Sequence, residues 1–193
     1  MGNKKDNEID IKGVIKQVSE RPLRVRASSG VKEHIISVLV ENRFGVLARI
    51  AGLFAGRGYN IESLCVGVTS DPSISRMTIV SKGEEHIIEQ IIKQLRKIVE
   101  VVKVVDITDQ SHIERELVLI KVQAVGNSRD EIIRLIEIFR AKILDVTHNS
   151  YVIEVTGDEN KVEAFLNLLQ HFGIKEIVRT GKAAISRGSG TLE

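Results

Sequence analysis

Residues 34–60 read HIISVLVENRFGVLARIAGLFAGRGYN, and the spacing of the apolar residues changes inside that run. His34 to Glu41 is short and β-branched, the composition of a buried strand, with Asn42 and Gly45 as its boundary. Val46, Leu47, Ile50, Ala51, Leu53 and Phe54 then recur at helical spacing, and Gly58 is placed to stop that helix. Asn60 to Thr69 alternates apolar with small or polar residues, Asp71-Pro72 marks a turn, and Ile74 to Ser81 returns as the other arm of a hairpin. Gly83-Glu84 opens a second helix carrying Ile87, Ile88, Ile91, Ile92 and Leu95, and Val99 to Ile107 closes the unit as a strand. The order is β-α-β-β-α-β.

The same order repeats downstream with little identity. Glu116 to Val125 reads as a strand, and Ser128 with Glu131 three residues later as a capping box for a helix bearing Ile132, Ile133, Leu135, Ile136 and Phe139. Ile143 to Thr147 and Tyr151 to Thr156 flank the turn at His148-Asn149-Ser150; Asp158 opens a helix with Val162, Phe165, Leu166 and Leu169; Ile174 to Thr180 is the last strand. The reading is α+β, two tandem ferredoxin-like βαββαβ domains, each a four-stranded sheet with two helices on one face. It divides the chain into an N-terminal arm (1–33), a first domain (34–109), a second (110–185) and a tail (186–193). Units of about 75 residues are small, which favours pairing with a partner for extra burial.

Composition narrows the function. The 193 residues include 28 Lys/Arg and 26 Asp/Glu, a net +2, with 4% aromatics and no Trp. Residues 1–33 hold eight basic and five acidic side chains, a local +3, which leaves 20 basic against 21 acidic, or −1, for the rest. A near-neutral, aromatic-poor body is a poor polyanion binder, so no nucleic-acid partner is expected. Cys65, the single cysteine, excludes an intramolecular disulfide and a Cys-rich zinc site, and the five histidines show no close ligand spacing. No run reaches the roughly 18 apolar residues of a membrane span and no secretory signal core is present, so a cytoplasmic chain without a membrane partner is expected.

No nucleophile elbow, phosphate-binding loop or zinc-binding His-Glu-x-x-His motif occurs, so no catalytic residue, metal site or cofactor is assigned to this chain. The segment that carries chemistry is Glu41 to Leu47 with Gly58 to Ile61. A strand ending at Asn42 and a helix starting within three residues aim free backbone N–H groups past the strand end, which suits a carboxylate. Gly45 lacks a Cβ and allows close approach. Asn42 offers an acceptor and a donor to the ammonium and carboxylate of a free amino acid, and Asn60 the same from across the site. Val46, Leu47 and Ile61 supply apolar surface. Summed, such contacts give a net of about 4 to 8 kcal/mol, millimolar to micromolar binding. An ordinary strand-to-helix turn is the other reading of the same residues.

At these residues the sequence resembles the ACT domain, a βαββαβ amino-acid-sensing module. Val38-Leu-Val-Glu-Asn-Arg-Phe-Gly-Val-Leu-Ala-Arg49, Gly52-Leu-Phe, Arg57-Gly-Tyr-Asn-Ile-Glu-Ser-Leu64, Ser75-Arg-Met-Thr78, Glu137-Ile-Phe-Arg140 and Ser186-Arg-Gly188 together resemble the regulatory (small) subunit of acetolactate synthase, also called acetohydroxyacid synthase. The resemblance spans about residues 34–188. It implies a non-catalytic chain that activates a separate catalytic subunit, the holder of thiamine diphosphate, Mg²⁺ and FAD, and that confers feedback inhibition by valine. It further implies a homodimer through ACT domains joined sheet edge to sheet edge, with effector contacts at Asn42, Gly45, Val46, Leu47, Asn60 and Ile61. The second domain has Gly126-Asn127-Ser128-Arg129 in place of the Asn-x-x-Gly loop and is not expected to bind the same effector. A stand-alone amino-acid sensor and a nucleic-acid-binding regulator using the basic arm are the alternatives.

Overall fold

The computed structural model describes residues 30–189; the apolar stripe at Ile11, Val14, Ile15 and Val18 lies outside them. Strand β1 (Lys32–Glu41) leads to helix α1 (Val46–Ala55), strands β2 (Ser63–Val68) and β3 (Ile74–Gly83), helix α2 (Glu85–Leu95) and strand β4 (Val101–Asp106). The order recurs as β5 (His112–Gln123), α3 (Ser128–Phe139), β6 (Lys142–Val146), β7 (Ser150–Gly157), α4 (Glu159–Leu169) and β8 (Ile174–Arg179), and a short β9 (Ala183–Ser186) follows. The strand orders β2-β3-β1-β4 and β6-β7-β5-β8 match each other, with antiparallel neighbours throughout. The chain is therefore α+β, built from two ACT-type βαββαβ units.

Alternation along the central strands sets each core. Ile36, Val38 and Val40 of β1 turn toward the helices and pack with Met77, Ile79, Phe54, Ile88, Ile91 and Leu95. In the second unit Val118, Ile120 and Val122 of β5 meet Ile153, Val155, Ile132, Val162 and Phe165. A one-residue slip of either strand would turn the whole apolar set to the wrong face, so the register is firmly held.

Four local expectations are corrected. Ser128 does not form a capping box with Glu131: its Oγ donates to the Val125 carbonyl at 2.7 Å and accepts from the Val125 N–H at 3.0 Å. The cap position is Asn127, which makes no side-chain cap, and the Ser128 hydroxyl is used by the preceding turn. Strand β5 begins at His112 rather than Glu116, and β1 begins at Lys32, within the stretch read as arm. Ser186, read as the start of a tail, belongs to β9, which pairs with the first part of β5 from His112↔Ser186 to Arg115↔Ala183. A four-residue Ala-Ala-Ile-Ser strand has little propensity of its own, and it is a strand because β5 offers it a free edge.

That β5–β9 ribbon lies against the helix-free face of the first sheet. Ile35, Val80, Ile107 and Ala184 form a small buried cluster there, and the Ala184 N–H reaches Thr78 Oγ1 at 3.4 Å. Next to it, the Lys182 N–H donates to Ser63 Oγ at 2.9 Å, while Lys182 Nζ is paired with Glu33 of β1 and, at 2.7 Å, with Glu159 of α4. Burial pulls the Lys182 pKa down, but its hydrogen bonds to Glu159 and Glu33 outweigh that, and the net shift is upward. The stabilisation this raised pKa confers is complete below the ordinary lysine value of 10.5 and is lost only as pH rises through the raised pKa.

Gly181 makes the turn into this clamp with φ +78°, and a Cβ there would lie 2.6 Å from Ser63 Oγ. Gly181→Ala is expected to cost about 1–3 kcal/mol through the left-handed backbone and the displaced Ser63. The midpoint of thermal unfolding should fall by several degrees; an unchanged midpoint would show that the clamp carries no stability.

Candidate functional site

Helix α1 starts from Gly45, whose φ of 83° puts it in the left-handed region. The Val46 N–H donates to the Arg43 carbonyl at 3.4 Å, and the helical ladder begins with the Arg49 N–H to the Gly45 carbonyl at 3.0 Å. The N–H groups of Leu47 and Ala48 precede that rung, as helix geometry requires. This first turn contains no acidic residue and no side-chain cap. The other three α-helices among the described residues differ: α2 has Glu85 in its first turn, α3 Asp130 and Glu131, and α4 is capped by Asp158 at 2.9 Å from the Lys161 N–H. Arg43 and Arg49, on either side of Gly45, are paired with Glu41 at 3.1 Å and Glu100 at 3.0 Å. The positive end of α1 is thus left unanswered by the helix's own side chains, the arrangement that favours a carboxylate.

Asn42 is exposed, and its amide nitrogen donates to the Pro72 carbonyl at 3.0 Å, which ties the β1–α1 loop to the β2–β3 turn. Asn60 is exposed as well, and its amide nitrogen donates to Glu62 Oε1 at 2.8 Å, while its main-chain carbonyl accepts from Ser81 Oγ at 2.7 Å. In both asparagines the donor is engaged within the fold. The side-chain oxygens have no hydrogen-bonding partner among the described residues, and they are acceptors suited to an ammonium.

The sheet register separates these residues. Strand β2 is parallel to β1, with β3 between them: Glu41 pairs with Ile74 at one end, and Ser63 and Ile35 both pair with Val80 at the other. Asn42 and Gly45 therefore lie at the end where β2 finishes, and Asn60 and Ile61 at the end where it begins. Ile35 to Glu41 is six steps, roughly 20 Å at about 3.3 Å per residue. The expectation that Asn60 faces Asn42 across one site does not hold within a single chain. Val46 is likewise not ligand-facing apolar surface: it is 2% exposed and belongs to the first core, so only its backbone lies at the helix start. Ile61 is half-buried against the same core, and Leu47 is 44% exposed.

Leu47 is not alone. Val66 and Val68 of the edge strand β2 and Phe44 of the loop are also exposed, toward the end of the sheet where α1 begins. Their apolar surface lies beside a strand edge that has no strand partner among the described residues, the signature of an interaction site. Sequence alternation alone hid this, because it marks Val66 and Val68 as inward and cannot tell an edge strand from a central one.

Comparison with known proteins identifies the family. Residues 36–103 match the family described as the AHAS small subunit-like ACT domain, and residues 115–188 the family described as the small subunit of acetolactate synthase. A probable acetolactate synthase small subunit of Archaeoglobus fulgidus is 57% identical over 157 residues, 81% of this chain and 98% of that one. The chain belongs to the acetolactate synthase small-subunit family. The small subunit of Aquifex aeolicus is 56% identical over 158 residues, covering 81% of this chain and 82% of its own. The crystal structure of the Thermotoga maritima small subunit superposes with a TM-score of 0.75 at 46% identity, covering 82% of this chain and 99% of that one. No described helix is long and apolar enough to cross a membrane. Among the described residues no group of three or more His, Cys, Asp or Glu is placed to hold a metal ion.

Within this small-subunit fold Asn42 has a structural role separable from any ligand. Asn42→Ala removes one exposed hydrogen bond, to Pro72, and is expected to cost only about 0.5–1 kcal/mol in denaturant unfolding. A loss of several kcal/mol would mean that the loop, not a ligand, is what Asn42 serves.

Proposed function

We propose that the chain is the regulatory subunit that activates the acetolactate synthase catalytic subunit and makes it sensitive to feedback inhibition by valine. The catalytic partner is the chain that uses thiamine diphosphate, Mg²⁺ and FAD. The effector binds between the first domains of two copies, with its carboxylate at the Gly45 to Leu47 helix start and its ammonium at the free oxygens of Asn42 and of Asn60 from the other copy. The observation that supports this reading best is the register of the first sheet. A two-fold axis that sets two β2 edges antiparallel brings the beginning of one β2 beside the end of the other. Only such a pairing gathers the separated residues, and it covers Val66 and Val68 at the same time.

Gly45→Asp tests the carboxylate position. A Cβ at Gly45 meets nothing closer than the flexible Arg49 guanidinium at 3.9 Å, so the variant folds, with about 1 kcal/mol of backbone strain. Its own carboxylate then occupies the helix end, and the valine concentration that half-inhibits the reconstituted enzyme should rise at least tenfold while activation persists. Retained valine sensitivity in a folded, activating variant overturns the assignment.

The two-copy geometry has a sharper test. Homodimers of Asn42→Ala or of Asn60→Ala carry the lesion in both sites. In a mixed dimer both lesions fall into one site and the other is intact, so refolding the two variants together at equal amounts should restore roughly a quarter of the valine sites. Calorimetry counts them. If the mixture binds no more valine than either variant alone, Asn42 and Asn60 do not act across two copies.

A further inference from the structure

Strand β6 is a free edge of the second sheet: it is hydrogen-bonded to β7 on one side and has no strand partner on the other among the described residues. All five of its residues are exposed, and three of them, Ile143, Leu144 and Val146, are large and apolar. In the repeat it stands where β2 stands in the first sheet. A free edge that shows apolar side chains is a template for a further strand. The opposite edge of the same sheet, β8, also exposes Ile177 and Val178, but its Glu176 is held by Lys121 at 3.4 Å and its Arg179 by Glu116 at 2.7 Å and Glu163 at 2.9 Å.

The charges of β6 select its neighbour. Lys142 pairs in register with Glu154, Ile143 with Ile153 and Asp145 with Val152, with a shift of register between Ile143 and Asp145. Tyr151 and Ile153 belong to the core beneath the helices, so Val152 and Glu154 face the other way. Lys142 and Asp145, three apart in sequence, therefore share the helix-free face. Lys142 is 74% exposed and paired with Glu154 at 3.5 Å, while the Asp145 carboxylate has no hydrogen bond or ion pair among the described residues. A second copy turned about a two-fold axis perpendicular to the sheet sets β6 antiparallel to β6. Lys142 of each copy can then stand opposite Asp145 of the other, with Ile143 and Leu144 opposite one another between them. Opposite charges directly across a strand pair are favourable, and this contact makes the pair twice. Parallel, in-register pairing would set lysine against lysine and aspartate against aspartate, which is unfavourable.

We propose that β6 is an interface between the second units of two copies of this chain, paired antiparallel with Lys142 of each against Asp145 of the other. The pairing joins two second sheets into one continuous sheet and covers Ile143 and Leu144. It uses a different unit from the β2 edge and holds whether or not the first units pair. Where the two contacts do not share one two-fold axis, each copy touches two others and the assembly exceeds a dimer.

The register is tested with cysteines placed in the full chain after Cys65→Ala. One chain carries Lys142→Cys; a second, lengthened by a tag so that the two differ in size, carries Asp145→Cys, and both positions are exposed. Residues directly opposite in an antiparallel pair have Cα atoms about 4.5–5.5 Å apart, within the span of a disulfide. The two thiols of a Lys142→Cys homodimer would lie about 10 Å apart, beyond it. The two chains are refolded together in equal amounts and oxidised with glutathione. Random collision makes the mixed disulfide equal to the two like-with-like products combined; the proposed register should make it exceed them at least tenfold. Adding Leu144→Lys to both chains, at an exposed position in the middle of the strand, should cut the mixed yield at least tenfold. Circular dichroism establishes that each variant is folded. Absence of the mixed disulfide, a yield no greater than the like-with-like products combined, or an undiminished yield with Leu144→Lys in folded chains overturns the proposal. Loss of activation by Leu144→Lys with no mixed disulfide overturns it too and assigns the edge to the catalytic subunit. None of these measurements involves valine or the α1 start, so the valine site and this interface fail separately.

Discussion

The constraint from which most of this molecule follows is that β1 and β2 run parallel with β3 between them. A βαβ crossover fixes this: α1 must travel from the end of β1 back to the beginning of β2, and it carries Asn42 and Gly45 at one end of the sheet and Asn60 and Ile61 at the other. On the proposed reading these are two half-sites at opposite ends of one sheet, and an antiparallel pairing of two such edges would unite each half with its complement. The same edge exposes Val66 and Val68, and the same end exposes Phe44 and Leu47, so the polar and apolar parts of the surface call for the same neighbour.

The second constraint is that β5 is longer than its own sheet. Its later residues lie between β7 and β8, while His112 to Arg115 pair with β9 and lie on the first unit. The two units are consequently joined through more than a linker. Lys182 is bonded to Ser63 through its backbone and to Glu33 and Glu159 through its side chain, so one residue touches β1, β2 and α4. Ser63 begins the strand that immediately follows Asn60 and Ile61. The start of that strand is thus hydrogen-bonded to the segment that ties the first sheet to the second unit.

Much of this was legible in the sequence because the central strands and helices are strongly periodic. Ile36, Val38, Val40 and Ile50, Phe54 disclose a strand and a helix that share a core, and all five are buried. What was not legible depended on partners distant in sequence. The strand β9 exists because β5 offers it an edge far back in the sequence, from His112↔Ser186 to Arg115↔Ala183, and nothing in Ala183 to Ser186 announces it. Ser128 has the spacing of a capping box, yet its hydroxyl is taken by Val125, a competition that spacing does not record. Asn42 and Asn60 stand out in the sequence as polar residues beside chain turns, but their placement at opposite ends of the sheet required the β3 register. Val46 counted as apolar surface from its position after Gly45, whereas its direction on the helix turns it into the core.

Energetics show how a ligand as small as one amino acid can matter to such an assembly. On the proposed pairing, the β2 edge has six residues, and hydrogen bonds across it contribute about 0.5–1.5 kcal/mol each, offset by the cost of association. Each such increment is of the same order as the coupling between two sites in regulated proteins, about 1–3 kcal/mol. Had the edges been buried in a long, wholly apolar interface, a single carboxylate at a helix end could not shift its geometry. A short edge, an uncapped helix and a few exposed valines keep the balance within reach of the ligand. On the proposed function, linkage requires that a geometry favoured by valine, when imposed by the catalytic partner, tighten valine binding by the same factor.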